Sequence, residues 1–577
     1  ELYELQCGAR ARSMLAAAAA AGDAAGLAEV SRRFFHTRAG YEATFLLGLH
    51  YWNHGSPLAA AMTLRRLKQS SAAADEFEPG LSVALAASWS RAGSPDKAGP
   101  LLDELRKRFS GASVLVGGKA VSLSGDDLAR LMAPAKAAAG SQPDDGWLMD
   151  RGDPSRNADV SASGPLLSTC WRIPTAEHPF VESLIEQIQQ SNRDQDRWAL
   201  PASRPLVVND VVLMRTARNL LAVDFRTGKR IWEVPGDDPF ESISEASLGV
   251  QDADADPFGN RRRGPLDLQT VLRYRLWADA TFGSLASDGQ RVFAVEDLSL
   301  DLGTASARAV FLANRRPMPN DPKSFNRLAA YEIRTGKLLW QVGGSPEEYA
   351  LPLAGTFFLG PPLPVGDQVY AIAEQKGDLR LLVLDARTGT LAWAQQLGVV
   401  DQDRDIVQDP LRRISGVSPS YADGILVCPT SNTSVVALEP ATRELLWGYV
   451  YKQGDGTQPR QPPMFFAGAP PTDPEPANRW AHTDVVLAEG RALVTPVDSS
   501  ELHCLNLIDG RLLWRKPREE SVYLACVSQG KAVLVGRRGL RAVNLSDGSA
   551  AWPGPVEFSS TTPSGTGFLS GGCYYVP

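Results

Sequence analysis

A thirteen-residue pattern, seen first as LLAVDFRTGKRIW, occurs six times between residues 220 and 552 and constrains the fold more than any other feature. Each copy ends in a tryptophan: Trp232, Trp340, Trp393, Trp447, Trp514 and Trp552. Five copies carry a glycine four residues before that tryptophan, namely Gly228, Gly336, Gly389, Gly510 and Gly548, and the fourth copy has Arg443 there. A carboxylate or an amide lies eight residues before the tryptophan: Asp224, Glu332, Asp385, Glu439, Asn506 and Asn544.

This pattern predicts a β-hairpin. The carboxylate or amide accepts hydrogen bonds from backbone N–H groups of the turn, and the glycine supplies a positive φ. The strand after the turn then holds the tryptophan at a fixed height, where a large indole packs between neighbouring sheets. Another strand-like run precedes each copy, so each unit contains at least three antiparallel strands.

The tryptophans are separated by 108, 53, 54, 67 and 38 residues. A four-stranded unit needs roughly 40–50 residues, which is the size of a propeller blade. We therefore predict a β-propeller over residues 165–577, with seven or eight antiparallel four-stranded blades. The longest spacing holds an insertion at 237–284 and a smaller one near 305–326. We expect the larger insertion to project from a rim and to be the best candidate for a partner site.

Ring closure gives a separate expectation, because an open ring exposes two sheet edges. Residues 168–172 contain Trp171 and predict a last strand that pairs with the C-terminal end. The sequence after residue 567, FLSGGCYYVP, indicates the early strands of a seventh unit without its tryptophan hairpin. We expect the natural polypeptide to continue beyond Pro577, by one strand to seven blades or by at least one further blade to eight.

Residues 1–135 are rich in Ala, Leu, Arg and Glu, with apolar residues three and four apart, which predicts helices. A Gly-Ser-Pro turn at 55–57 returns at 93–95, flanked by matching Ala and Leu positions. This helix-turn-helix repeat resembles the tetratricopeptide repeat, although a generic bundle of helical hairpins is the alternative. The following segment, residues 136–164, is rich in Ala, Pro, Gly, Ser and Asp and is interpreted as a linker.

The hairpin pattern closely resembles the PQQ-like (quinoprotein-type) propeller repeat, whose motif is A-x-D-x-x-T-G-x-x-x-W. The first copy matches it in full, through Ala222, Asp224, Thr227, Gly228 and Trp232. The third copy, with Asp385, Thr388, Gly389 and Trp393, departs only at Val383. Within this family the chain looks most like the non-catalytic, BamB-like branch.

The enzymes of this family resemble one another in a vicinal Cys-Cys disulfide above a quinone, in Ca²⁺ held by Glu and Asn, and in an Asp base. This chain contains no adjacent cysteines. The resemblance therefore implies a non-enzymatic scaffold without a cofactor, which binds other proteins through propeller loops and the helical arm. It also implies a periplasmic or outer-membrane-associated place in the bacterial envelope. The alternative is a quinoprotein-like oxidoreductase, or another enzyme that uses the central funnel.

Other candidate sites have weaker support. Two Asp-rich loops, at 252–256 and 401–405, lack the glycine and glutamate that an EF-hand needs, so no metal site is expected. Trp198, Trp277 and Trp480 lie outside the repeat and either contact a ligand or pack internally, and packing is the favoured interpretation. The formal charge of −7 argues against general nucleic-acid binding. No apolar stretch is long enough to span a bilayer.

Overall fold

The computed structural model describes residues 2–109, 111–116, 119–123, 132, 146–160, 168–176, 178–194, 200–236, 268–296, 324–347, 351–400, 406–407, 409–451, 479–497, 499–558 and 563–577. It contains an N-terminal helical region followed by a seven-bladed β-propeller. The helices of the N-terminal region are α1 (Leu2–Ala21), α2 (Ala24–Arg33), α3 (Arg38–Asn53), α4 (Pro57–Lys68), α5 (Ser71–Phe77), α6 (Gly80–Arg91) and α7 (Pro95–Arg108). A small hairpin follows, formed by β1 (Ser113–Val116) and β2 (Lys119–Ser122).

The repeated Gly-Ser-Pro turns join α3 to α4 and α6 to α7. Gly55 and Gly93 have φ values of 73° and 74°, which glycine adopts without a Cβ penalty. Pro57 and Pro95 each begin the next helix, where the fixed φ of proline suits the first turn and its missing N–H costs nothing. The two turns are therefore structurally equivalent, as the repeat predicts.

The seven blades follow one another along the chain. Blade 1 contains β3 (Gly146–Trp147), β5 (Leu206–Val208), β6 (Val211–Arg215), β7 (Asn219–Asp224) and β8 (Arg230–Pro235). Blade 2 contains β9 (Ala286–Ser287), β10 (Arg291–Glu296), β11 (Arg327–Glu332) and β12 (Leu338–Gly343). Blade 3 contains β13 (Phe357–Phe358), β14 (Leu363–Val365), β15 (Gln368–Gln375), β16 (Asp378–Asp385) and β17 (Leu391–Val399).

Four more blades complete the ring. Blade 4 contains β18 (Ser420–Ala422), β19 (Ile425–Pro429), β20 (Ser434–Glu439) and β21 (Glu444–Val450). Blade 5 contains β22 (Val486–Ala488), β23 (Arg491–Val494), β24 (Glu501–Asn506) and β25 (Leu512–Pro517). Blade 6 contains β26 (Ser521–Ser528), β27 (Lys531–Gly536), β28 (Gly539–Asn544) and β29 (Val556–Glu557). Blade 7 contains β30 (Phe568–Ser570), β31 (Cys573–Tyr575) and β4 (Asp159–Val160).

Each of blades 1 to 5 shows the same irregularity in its outermost hairpin. The register between the last two strands shifts directly after the residue that pairs with the tryptophan, as at Ala222↔Trp232 and Ala330↔Trp340. A β-bulge at a constant position turns the following strand in the same way each time. The indoles therefore reach the next blade at a constant height.

Closure of the ring differs from the sequence expectation. Residues 168–172 form no strand, and β4 instead pairs with the C-terminal strand β30, in parallel. A two-residue parallel strand has no period-two signal, so the sequence could not reveal it. Both β3 and β4 fall within residues 136–164, so the described part of the predicted linker belongs to the propeller sheets. The full domain division, with boundaries at 135 and 164, stays a prediction.

Four further helices lie among the propeller strands of the described chain: α8 (Pro179–Asp194), α9 (Leu268–Trp277), α10 (Ala280–Gly283) and α11 (Pro410–Ile414). Helix α9 packs against α8 through Val271, Leu272 and Ile188, all fully buried. Phe282 of α10 belongs to the core of blades 2 and 3. The described part of the predicted insertion therefore packs onto the propeller instead of projecting, and residues 237–267 lie outside the described chain.

The helical region is not a separate arm. Leu64, Leu67 and Trp89 of α4 and α6 share one buried cluster with Val427 and Leu487 of blades 4 and 5. The backbone approaches closely there, since a Cβ on Gly424 would lie 2.5 Å from the Cβ of Ala59. Helices and propeller thus bury apolar surface against each other. None of the helices in the described chain combines the length and apolar character that a membrane crossing needs.

Candidate functional site

The repeated tryptophans join neighbouring blades. Five indole N–H groups donate to a carbonyl oxygen of a blade that follows in the chain, in each case that of the residue directly after the carboxylate or amide of the hairpin pattern. The donor–acceptor pairs are Trp171 to Phe225 (2.8 Å), Trp232 to Ile333 (2.6 Å), Trp340 to Ala386 (2.9 Å), Trp447 to Leu507 (2.9 Å) and Trp514 to Leu545 (2.9 Å). Trp171 therefore makes with blade 1 the contact that the repeat tryptophans make with the blades that follow them.

The glycines of the pattern allow this approach. Gly389 has a φ of 70°, and a Cβ built on it would lie 2.6 Å from the Trp340 ring. The same contact, at 2.5–2.8 Å, recurs at Gly228, Gly336, Gly510 and Gly548. Only glycine combines a left-handed backbone with room for the neighbouring indole.

Two members of the pattern behave differently. Arg443 replaces the glycine and keeps its backbone conformation, with a φ of 63°. Its guanidinium lies over the Trp393 ring, 5.0 Å from the ring centre, as in a cation–π contact. Trp552 lies in a bend before β29 and is half-buried, so it does not share the strand position of the other tryptophans.

The carboxylates of the pattern hold the turns. Asp224 Oδ1 accepts hydrogen bonds from the backbone N–H and the hydroxyl of Thr227, both at 2.7 Å. Asp385 does the same with Thr388, at 2.8 Å each. Hydrogen bonding by Thr227 is the main cause that lowers the pKa of Asp224. These contacts stabilise the hairpin turns.

A different element fills the centre of the ring. We call residues 146–160 the central plug, because this segment bonds to inner strands of six blades. Its contacts are β3 with β5 in blade 1, Leu148 O with Ser287 N (2.8 Å), Pro154 O with Tyr421 N (2.7 Å), Ser155 O with Leu487 N (2.9 Å), the Asn157 amide with Val527, and β4 with β30 in blade 7. Inner strands surround the axis of a propeller, so a segment bonded to six of them occupies that axis.

The plug is tightly folded. Arg151, Gly152 and Arg156 have φ values of 61°, 88° and 62°. A Cβ on Gly152 would lie 2.7 Å from the Ala158 Cβ and 2.9 Å from the Trp147 ring. Arginine rarely adopts a positive φ, so the surrounding contacts must hold the plug backbone in this conformation. The plug also pairs strand edges that an open channel would expose.

Two arginines of the plug donate hydrogen bonds to oxygen atoms in or beside the inner strands. The Arg156 guanidinium donates to Ser418 Oγ (2.6 Å), Pro419 O (3.1 Å) and Asp150 O (3.1 Å), and its residue is 2% exposed. Arg151 donates to the carbonyl oxygens of Leu524 and Ala525. These bonds tie the plug to blades 4 and 6, and breaking them would bury unpaired polar groups.

Beside the plug lies a buried group of side chains that we call the polar cluster: Asp150, Arg204, His482 and Asp484. Arg204 pairs with Asp150, and its Nη1 lies 3.5 Å from Asp484 Oδ2. His482 Nδ1 lies 3.6 Å from Asp150 Oδ2, and its Nε2 lies 3.1 Å from the Thr566 hydroxyl. Blades 5 and 7 thereby meet the plug through charged and polar groups.

Burial and neighbouring charges set the protonation of the polar cluster. Burial, together with the charge of Arg204, lowers the pKa of His482 to about 3. Burial raises the pKa of Asp484 to about 6, opposed by Arg156 and assisted by Asp150. Burial alone would raise the pKa of Asp150 too, but the charge of Arg204 and the interaction with His482 hold it well below its ordinary value. At neutral pH, Asp150 is therefore ionised and His482 is neutral.

Asp150, His482 and Asp484 could in principle hold a metal ion, since one ligand atom of each lies within 4.8 Å of the others. However, Arg204 already supplies a positive charge to both carboxylates. Arg156 and Arg151 add further positive charge to the same group. A divalent cation would be repelled by these arginines, so the donor set does not fit one.

A cavity of about 90 Å³ adjoins the polar cluster, with Arg204 and His482 in its wall. Trp277 and Trp480, two of the tryptophans outside the repeat, line the same cavity, and Trp198 lies outside the described chain. Both Asp-rich loops, at 252–256 and 401–405, also lie outside the described chain. Sequence reasoning missed the plug, the polar cluster and the cavity, because their members are far apart in the chain.

The sequence matches the protein family described as outer membrane protein assembly factor BamB over residues 275–461 and 471–566. No curated protein matches it. Among solved structures, BamB from Moraxella catarrhalis is 11% identical, with a TM-score of 0.36, over 62% of this chain and 75% of that one. Quinohemoprotein alcohol dehydrogenase from Comamonas testosteroni is 13% identical, with a TM-score of 0.42, over 75% of this chain and 70% of that one. Structural likenesses this distant carry no functional argument.

Proposed function

We propose, because the propeller of this chain belongs to the PQQ-like repeat family, that the protein is a non-enzymatic scaffold which binds partner proteins. Its place is the bacterial cell envelope, in the periplasm or at the outer membrane. The family match to an outer membrane assembly factor supports this setting.

The observation that carries the proposal is the central plug. A quinone cofactor needs an open pocket on the propeller axis, and small-molecule sites commonly have volumes of about 300–1,000 Å³. Here residues 146–160 bond to inner strands of six blades, and the cavity beside them measures about 90 Å³. The described residues therefore do not fit a quinone. With its axis filled, the propeller offers its outer surfaces for binding.

The packing of the helical region supports the same proposal. Helices α4 and α6 bury their apolar residues against blades 4 and 5, so that face of the repeat is unavailable to a partner. Partners are instead bound by propeller loops and by the exposed side of the helices. Leu2 and Leu5 of α1 are 73% and 84% exposed, and Leu115 of β1 is 80% exposed. A rigid body with helices fixed to a ring suits a scaffold that holds partners at set distances.

A photo-crosslinking experiment in the native source tests the scaffold proposal. A photoreactive amino acid is placed at Leu5, at Leu115 and, on the propeller, at Val399 and Val450, which are 65% and 73% exposed. We expect one defined protein to be captured by positions on one surface and to co-purify without crosslinking in a fixed ratio. Position Phe357, an aromatic residue that is fully buried in the propeller core, is the control that should capture nothing. Capture of no protein, or the same adducts at every exposed position, would contradict the proposal.

A second experiment tests the enzymatic alternative. Purified protein is titrated with PQQ and Ca²⁺, and reduction of an artificial dye is followed with a panel of primary alcohols. The scaffold proposal predicts no saturable PQQ binding and no dye reduction. Saturable binding with alcohol-dependent dye reduction would overturn it.

A further inference from the structure

The cavity beside the polar cluster is lined by an unusual set of side chains. Four of them are arginines: Arg479, Arg518, Arg537 and Arg204, the last of which also pairs with the two aspartates of the polar cluster. Among the described residues that line it, none is an aspartate or a glutamate. Clefts lined by charges of one sign concentrate ions of the opposite sign. The wall composition therefore favours an anion.

The arginines also act on one another and on His482. Burial, followed by the charge of Arg537, lowers the pKa of Arg518. Burial, followed by the charge of Arg204, lowers the pKa of His482. Burial is the main cause that lowers the pKa of Arg479, whereas the charge of Asp409 raises it. Grouping cations at a buried surface is costly, and a bound anion would reduce that cost.

Shape and chemistry limit the kind of anion. A volume of about 90 Å³ is well below the roughly 300–1,000 Å³ of sites for drug-sized ligands, so a small ion suits the cavity. Trp480 is 3% exposed and donates its indole N–H to Glu501 O, so it forms a fixed wall, with Trp277 as a second aromatic wall. Guanidinium groups bind planar carboxylates and phosphates through paired hydrogen bonds.

We propose that this cavity is a binding site for a small oxyanion, either a carboxylate or a phosphate group, held by the arginines between Trp277 and Trp480. The site is independent of the proposed scaffold function, because it faces the polar cluster at the ring centre. Arg537, half-buried at the β27–β28 turn, is the arginine whose side chain can be changed with the least disturbance of the fold.

The test measures binding of two separate probes, acetate and inorganic phosphate, to the full chain by isothermal titration calorimetry at constant ionic strength. We expect saturable 1:1 binding of at least one probe. Arg537→Gln should weaken that binding about ten-fold, the effect of losing about 1.4 kcal/mol. Arg538→Gln, an exposed neighbour that does not line the cavity, is the matched control and should leave the affinity within about two-fold.

Comparison of the two probes identifies the class: preference for acetate indicates a carboxylate ligand, and preference for phosphate a phosphate group. A circular dichroism spectrum and melting temperature that match the parent protein show that Arg537→Gln is folded. Absence of saturable binding for both probes overturns the proposal. Equal affinities for Arg537→Gln and Arg538→Gln also overturn it, because binding would then occur elsewhere.

Discussion

The indole N–H of Trp171 donates a 2.8 Å hydrogen bond to the carbonyl oxygen of Phe225, and this bond ties a segment outside the strands to the first blade. The same indole lies against Gly228, whose added Cβ would lie 2.7 Å from it. Trp171 lies 49 residues before the first full copy of the repeat, which begins at Leu220, and yet it makes the same contact as Trp340 or Trp514. The contact of Trp171 with blade 1 is therefore the one that Trp232, Trp340, Trp447 and Trp514 make with the blades that follow them.

Replacing Trp171 by Ala should loosen the contact between the segment at 168–176 and blade 1. The residue is half-buried, so we expect a loss of about 2 kcal/mol in the free energy of unfolding, less than for a fully buried tryptophan. Hydrogen exchange should accelerate at the turn around Gly228. Trp393→Ala, at a site 8% exposed, is the comparison and should cost about 3–5 kcal/mol. A Trp171→Ala variant with unchanged stability and exchange would show that the contact does not hold this segment to blade 1.

Gly389→Ala should be clearly destabilising. Its φ of 70° disfavours alanine, and the new Cβ would lie 2.6 Å from the Trp340 ring. We expect a cost of about 2–3 kcal/mol, measured by urea unfolding. Gly398→Ala is the matched control, since nothing lies within 4 Å of its position and its φ is ordinary, and it should change stability by less than about 1 kcal/mol. Similar effects of both substitutions would argue against a special role for the pattern glycines.

Sequence reasoning predicted the seven- or eight-bladed propeller and its helical region, and the structure contains seven blades preceded by helices. The repeat made this possible because each copy carries its own turn and its own tryptophan in sequence order. Residues 146–160 gave no such signal. Their Gly, Asp, Pro and Arg content is typical of a linker, and their role comes from contacts with strands up to several hundred residues away. Period-two patterns cannot show a segment that touches six blades in turn.

Loss of one plug arginine should destabilise the whole ring. Arg156→Met keeps most of the volume but leaves Ser418 Oγ, Pro419 O and Asp150 O without their donor. We expect a loss of about 3 kcal/mol, and a single cooperative unfolding transition at a lower urea concentration. Arg172→Met, at an exposed position, is the control and should change stability by less than about 0.5 kcal/mol. If Arg156→Met unfolded at the parent midpoint, the plug would contribute little to the propeller.

The polar cluster predicts a specific pH dependence. His482 has a folded pKa of about 3, below its ordinary 6.5, so its contribution to stability is present above pH 6.5 and is lost as the pH falls towards 3. Asp484 has a folded pKa of about 6, above its ordinary 3.8, so its contribution is present below pH 3.8 and is lost as the pH rises through 6. Between about pH 4 and 6 the two residues change the free energy of unfolding in opposite directions, and their effects nearly cancel.

Substituting either His482 or Asp484 should reveal the pH dependence that the other residue gives to the free energy of unfolding. Relative to the parent protein, stability of Asp484→Asn should rise with pH between 4 and 6, at up to about 1.4 kcal/mol per pH unit, because His482 is then unopposed. His482→Gln should show the opposite change, a fall with pH over the same range. Urea unfolding at a series of pH values measures both, and taking differences from the parent cancels the other titrating groups. Thr495→Ser, whose hydroxyl bonds His482 O, is the non-titrating control and should shift the curve without changing its slope. Parallel curves for all three variants would mean that His482 and Asp484 keep ordinary pKa values in the folded protein.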